Sequence, residues 1–205
     1  MFRLSRTSLI SWTAVVAVIA ALSYALTGVA VPRAAAEDKA AAALVEFTAD
    51  GKLKQPVGYR KWVYIGTPVT PNDMNGGEAS FPEFHEVYMD PESFAHYEKT
   101  GKFRDGTILI KELSSVGSKE APSGKGYFQG EFTGLEAAIK DSKRFKDEPG
   151  NWAYFSFGHK YPLKTEVSKN TAAACNKCHE DNAKKDDWVF SQYYPALRAA
   201  APHSK

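Results

Sequence analysis

The sequence predicts an α+β domain, built mainly on an antiparallel β-sheet with flanking helices. Three observations carry that expectation. Segments rich in β-branched and aromatic residues recur at 62–66, 84–89, 107–113, 127–132 and 152–157, separated by clusters of glycine, proline, asparagine and aspartate. The helical patterns stand apart from one another instead of alternating regularly with strands, which favours hairpin-built sheet over parallel βαβ units. No internal repeat is visible in the 205 residues.

Residues 1–36 read as an export signal peptide. Arg3 and Arg6 supply a positive start, 9–26 is almost wholly apolar, and Ala34, Ala35 and Ala36 form a small-residue cleavage site. The alternative is a retained anchor, because the apolar run approaches bilayer-spanning length. Removing 1–36 takes away Arg3, Arg6 and Arg33 and no acid, leaving 23 basic against 24 acidic residues, so the net charge goes from +2 to −1. That balance excludes a basic nucleic-acid binder. The remainder, 37–205, fits one compact domain, and aromatics at 13% of the chain are ample for its core.

Residues 37–43 read as a linker or first helical turn, and 47–55 has no clear period. The stretch 62–66 is a strand, 67–79 a long loop with two prolines and a glycine pair, and 84–89 a second strand. Asp90 as N-cap and Pro91 at the first helical position start a helix that carries Phe94, His96 and Tyr97 and stops at Gly101. The clearest strand is 107–113. Its alternation places Leu109, Lys111 and Leu113 on one face and Ile108, Ile110 and Glu112 on the other, each face apolar but for one charge. A turn-rich connection at 118–126 leads to a strand at 127–132. The segment 134–145 reads as an amphipathic helix with Leu135, Ala138, Ile139 and Ser142 on one stripe. Residues 147–151 end it, 152–157 is an aromatic strand, and 187–201 reads as a closing helix interrupted at Pro195.

The chemistry concentrates at Cys175-Asn-Lys-Cys178-His179, a c-type haem attachment motif. Two thiols three positions apart can each add to a haem vinyl group, and the adjacent histidine can reach the iron. These are the only two cysteines. A redox pair, half of a zinc site and a plain disulfide are the competing readings. There is no second CxxC or spaced histidine pair for zinc, and no βαβ pattern for a thioredoxin-like pair.

The position of the motif narrows the class. Only 26 residues follow His179 and none is methionine, so a later methionine as sixth iron ligand is absent. Met74, Met89 and His85 remain as candidate sixth ligands, with none favoured by position. Late attachment also occurs in gas-binding four-helix cytochromes, but strand and glycine signals are too many here for a bundle. The expectation is a five-coordinate haem with an open distal side, suited to binding and transforming a small ligand.

From about Phe47 to Ala200 the chain resembles the cytochrome P-460 family of periplasmic hydroxylamine-oxidising cytochromes. The densest pieces are 88–106, ending in Phe103-Arg104-Asp105-Gly106; 126–145; Glu148-Pro149-Gly150-Asn151-Trp152; and 175–182. The resemblance implies one covalently attached haem held by Cys175, Cys178 and His179, with a lysine amine joined to a haem meso carbon. The matching position is Lys111. From the residues alone, Lys111 on an apolar strand face is either such a special case or an edge-strand lysine snorkelling to water. The resemblance also implies a distal carboxylate for proton transfer at Glu136. Read from the residues alone, Glu136 would lie in a first helical turn paired with Lys140 at i,i+4. Some relatives carry arginine where this chain has His85, and a histidine there is expected to titrate near neutral pH. Phe81 and Phe84 are candidates for lining the distal cavity or for core packing.

The implied function is oxidation of hydroxylamine to nitrous oxide, nitric oxide or nitrite in the periplasm, with electrons passed to a soluble cytochrome c by a homodimer. A related branch, the cytochrome c′-beta-like proteins, keeps fold and haem without the cross-link and binds nitric oxide; Lys111 and Glu136 argue against it. A simple electron carrier would need a sixth ligand such as Met89.

Overall fold

The computed structural model describes residues 44–171 and 175–202. The expected signal peptide, the stretch 37–43 and His203 lie outside the described residues.

Among the described residues, nine strands form three sheets. Short β1 (Leu53–Lys54) is followed by β2 (Val63–Gly66), β3 (Phe84–Met89), helix α1 (Pro91–Thr100) and β4 (Ile108–Val116). The small hairpin β5 (Glu120–Ala121) and β6 (Gly124–Lys125) precedes β7 (Gln129–Lys140), β8 (Trp152–Gly158) and β9 (Glu166–Val167). Helices α2 (Cys175–Ala183) and α3 (Pro195–Ala200) complete the chain. The main sheet runs β2-β3-β4-β7-β8, antiparallel at every neighbour, and β1 pairs separately with β9. The α+β class and the mainly antiparallel sheet are thus as the sequence predicts. No helix among the described residues is long and apolar enough to cross a membrane.

The start of α1 follows its sequence signals. Asp90 Oδ1 accepts from Ser93 N at 2.9 Å, Pro91 occupies the first turn, and Gly101 closes the helix at φ 67°. Asp90 also does something the cap signal did not announce. It is fully buried, and its Oδ2 accepts from Ile108 N at 2.8 Å, so one carboxylate ties α1 to the start of β4.

The expected helix at 134–145 does not exist. Residues 134–140 are the second half of β7, which continues the strand expected at 127–132. The segment's alanine, leucine, glutamate and lysine are good helix formers, but it also satisfies a period of two. Leu135, Ala137 and Ile139 enter one hydrophobic cluster, while Glu136, Ala138 and Lys140 point to the other side. Ladder bonds to β4 on one edge and β8 on the other then outweigh the intrinsic preference. The closing helix also changes. Residues 187–194 are irregular apart from a 3-10 turn, and Pro195 begins α3 instead of interrupting it. Proline has no N–H to give and a φ already set for the first helical position.

The sheet carries a core on each face. Ile108, Ile110, Leu135, Ala137, Ile139 and Phe155 pack on one side against the segment holding Leu53 and Tyr59. Val87, Met89, Leu109, Trp152 and Tyr154 pack on the other against Tyr97 and Phe103 and the C-terminal Val189 and Leu197. The second face is where the motif residues lie.

Candidate functional site

Helix α2 begins at Cys175 and places Cys175, Cys178 and His179 within one turn. Residues three and four apart share a helix face, which is the reason this spacing serves a single large ligand. Both cysteines are free thiols, Cys175 half-buried and Cys178 exposed. Asn176, 1% exposed, donates from Nδ2 to the Trp152 carbonyl at 2.8 Å and pins α2 onto β8. Asn170 Nδ2 donates to Cys175 Sγ at 3.2 Å.

His179 is oriented as a metal ligand would be. Its Nδ1 lies 2.7 Å from the Trp188 carbonyl, so Nδ1 carries the proton and Nε2 keeps its lone pair. The ring sits between Tyr154, at 4.4 Å between centroids, and Phe190, at 4.8 Å. Burial lowers its pKa and so favours the neutral imidazole that can coordinate, while the Trp188 bond opposes that shift.

The Trp188 carbonyl is itself held. Asp187 and Trp188 adopt positive φ of 55° and 60°. Lys140 Nζ lies 2.5 and 2.6 Å from the two Asp187 carboxylate oxygens. The Trp188 ring lies against Gly150, where a Cβ would come within 2.4 Å of it. So Lys140, expected to pair with Glu136 along a helix, pairs with Asp187 instead, because a strand sends it toward the C-terminal segment.

A cavity of about 440 Å³ opens between this wall and the sheet, within the usual size of a small-molecule site. Cys175, Cys178 and His179 line it, and so do Lys111, Glu136, His85 and Phe81. Lys111 and Glu136 are register partners on β4 and β7, with Lys111 Nζ 2.5 Å from Glu136 Oε2. Strand β4 is the middle strand, which removes the edge-strand reading of Lys111. The Phe81 ring lies 5.3 Å from Lys111 Nζ. Phe84 is buried and is not among the lining residues.

His85 differs from expectation. Burial, with the nearby Lys111 charge, lowers its pKa from 6.5 to about 4, so it is neutral at neutral pH and does not titrate there. Its Nε2 is buried without a hydrogen-bond partner among the described residues. Met89 is fully buried in the core and Met74 is exposed on its loop; neither lines the cavity, nor does His96 on α1.

Several residues here had no sequence signal. His159 places Nε2 3.1 Å from Glu136 Oε1. Trp188, Tyr154 and Phe190 build the histidine wall, and nothing local marks them as such.

The donors suit a haem. Among the described residues no group of three or more His, Cys, Asp or Glu side chains could hold a bare metal ion. One neutral histidine nitrogen and two free thiols beside a largely aromatic and aliphatic cavity instead fit a metal that brings its own equatorial donors and vinyl groups. Against known proteins, a family model described as Cytochrome P460 matches residues 56–191, which include every candidate site residue. No curated protein sequence matches the chain.

Proposed function

The chain belongs to the cytochrome P460 family of haem proteins, and from that premise we propose that it is a periplasmic hydroxylamine oxidoreductase. The observation that carries this reading is the Lys111–Glu136 pair, set in the same cavity as Cys175, Cys178 and His179. Cys175 and Cys178 would hold the haem through thioether bonds, and His179 Nε2 would coordinate its iron. When bound, the haem would supply the iron site for hydroxylamine and the route by which electrons would leave to a soluble cytochrome c.

The chain's own side chains supply the rest. Converting two hydroxylamine molecules to one nitrous oxide and one water releases four protons with four electrons. Those protons need an acceptor at the reacting end, and a carboxylate can serve as one. Glu136 lines the cavity, and its two oxygens face Lys111 and His159. In this reading Glu136 takes those protons. Lys111 Nζ, on the central strand, is the amine that would be joined to the haem edge. That bond would remove the cost of a half-buried ammonium and tune the macrocycle. Phe81, Val87 and Leu109 give the cavity apolar wall. The functional unit is a homodimer in this reading.

The test is the ferrous absorption spectrum of the holoprotein with the mass of its haem peptides, followed by hydroxylamine turnover with oxidised cytochrome c. A strongly red-shifted Soret band, one haem joining a Cys175–His179 peptide to a Lys111 peptide, and turnover are expected. An ordinary c-haem spectrum with Lys111 recovered free, and no turnover, would overturn the reading in favour of nitric oxide binding.

A further inference from the structure

Glu136 is 18% exposed, and a proton that it accepts needs a way out. One oxygen faces Lys111. The other is 3.1 Å from His159 Nε2, and His159 Nδ1 is in turn 3.8 Å from Glu83 Oε1. The imidazole is 42% exposed, whereas Glu83 is 17% exposed. The second Glu83 oxygen is buried with no hydrogen-bond partner among the described residues. An imidazole thus stands between two half-buried carboxylates, with one flank in water.

The backbone is built for this approach. His159 directly follows the end of β8, and β7 comes up against it at Gly134. A Cβ at Gly134 would lie 3.1 Å from the His159 Cα and 2.6 Å from the Gly158 carbonyl oxygen. Only glycine lets the two strands close so far, and that closeness brings the His159 ring to Glu136 two residues along β7.

We propose that His159 relays protons from Glu136 to Glu83 and solvent. The inference rests on the reading of Glu136 as the proton acceptor given above. A proton on the Glu136 carboxyl passes to His159 Nε2. The imidazolium releases its Nδ1 proton to Glu83 through one bridging water, since 3.8 Å is long for a direct hydrogen bond. Tautomer exchange with water on the exposed flank resets the ring. No electrons move in this step. The charged and titratable groups around the relay are Glu136, Glu83, Lys111 and His85. His159 acts through Glu136 and is a positioning residue.

The experiment uses the holoprotein and H159Q. Glutamine can place an amide where Nε2 was and still bond Glu136, but it has no second proton site. E136Q identifies the Glu136 carboxyl band in infrared spectra. In H159Q the resting absorption spectrum is expected unchanged, and that band is expected to move in frequency, because an amide replaces the imidazole at Glu136 Oε1. Hydroxylamine turnover at saturating substrate is expected to fall about 10-fold to 100-fold with unchanged KM, an altered pH profile and partial rescue by added imidazole. A Glu136 band identical to wild type overturns the relay, and so does a moved band with wild-type turnover at every pH. If the wild type does not oxidise hydroxylamine, the proposed function fails, and the infrared comparison decides the Glu136–His159 contact on which the relay depends.

Discussion

Lys111 and Glu136 stand directly opposite each other on β4 and β7, with the lysine amine 2.5 Å from the carboxylate. Cross-strand register alone puts the two side chains into contact, on the sheet face that meets α2. Lys111→Arg keeps a cation beside Glu136 but removes the amine that would join the haem. We expect the ferrous Soret band of K111R to revert to that of an ordinary c-type haem, with stability within about 1 kcal/mol of wild type. Absorption spectra and denaturant titration of the holoprotein check both. Glu136→Gln is expected to leave the spectrum intact and cut hydroxylamine turnover by about 10²-fold or more.

The Lys140–Asp187 pair holds the corner that presents the Trp188 carbonyl to His179. Lys140→Met keeps the aliphatic stem near the Trp152 ring but leaves the partly buried Asp187 carboxylate without its cation. A loss of about 1–3 kcal/mol is expected from urea denaturation. K140M combined with Asp187→Asn is expected to be less destabilised than the sum of the single variants, because the two share one interaction.

Gly150 has φ 62°, and the Trp188 ring occupies the space a side chain would need. Gly150→Ala meets two separate costs, about 1 kcal/mol or more for the left-handed conformation and about 1–3 kcal/mol for the displaced ring. The melting temperature of the holoprotein is expected to fall by more in G150A than in Gly124→Ala, whose added Cβ meets nothing within 4 Å although its φ is 122°.

His85 imposes a pH dependence on stability. Burial, with the Lys111 charge, lowers its pKa from 6.5 to about 4 in the folded protein, opposed by Glu136. Between those values the unfolded chain binds a proton that the folded chain refuses. Its contribution is therefore fully present above pH 6.5 and is lost as pH falls toward 4. The difference corresponds to at most about 3 kcal/mol. Wild type and His85→Leu compared by denaturation from pH 7 to pH 4 should diverge in slope, with the variant flatter.

Some of this was legible from local sequence because the physics is local. The α1 cap needs only Asp90, Pro91 and Gly101, and each acts on its own neighbours. Strands 84–89 and 152–157 are compact β-rich runs with turn signals at their ends, and both are found within a residue. The segment 134–145 was not legible. Leu135, Ala137 and Ile139 fit a strand while Leu135, Ala138 and Ile139 fit a helix, and the choice was made by the ladders to β4 and β8. That one change moved Glu136 from a helix surface to a cavity wall and gave Lys140 a different partner.

The sequence by itself determined the haem-attachment motif, the family likeness, the α+β class and the placement of Lys111 opposite Glu112 in facing, since these depend on spacing and alternation along the chain. Only the tertiary structure decided that Lys111 lies on a central strand, that Glu136 is its partner, and that His85 stays neutral. It alone brought His159 to Glu136 and the Trp188 carbonyl to His179. Those relations join residues 9 to 25 positions apart, through register, burial and backbone approach. No spacing rule along the chain carries information over such separations; they exist only once both faces of the sheet are packed.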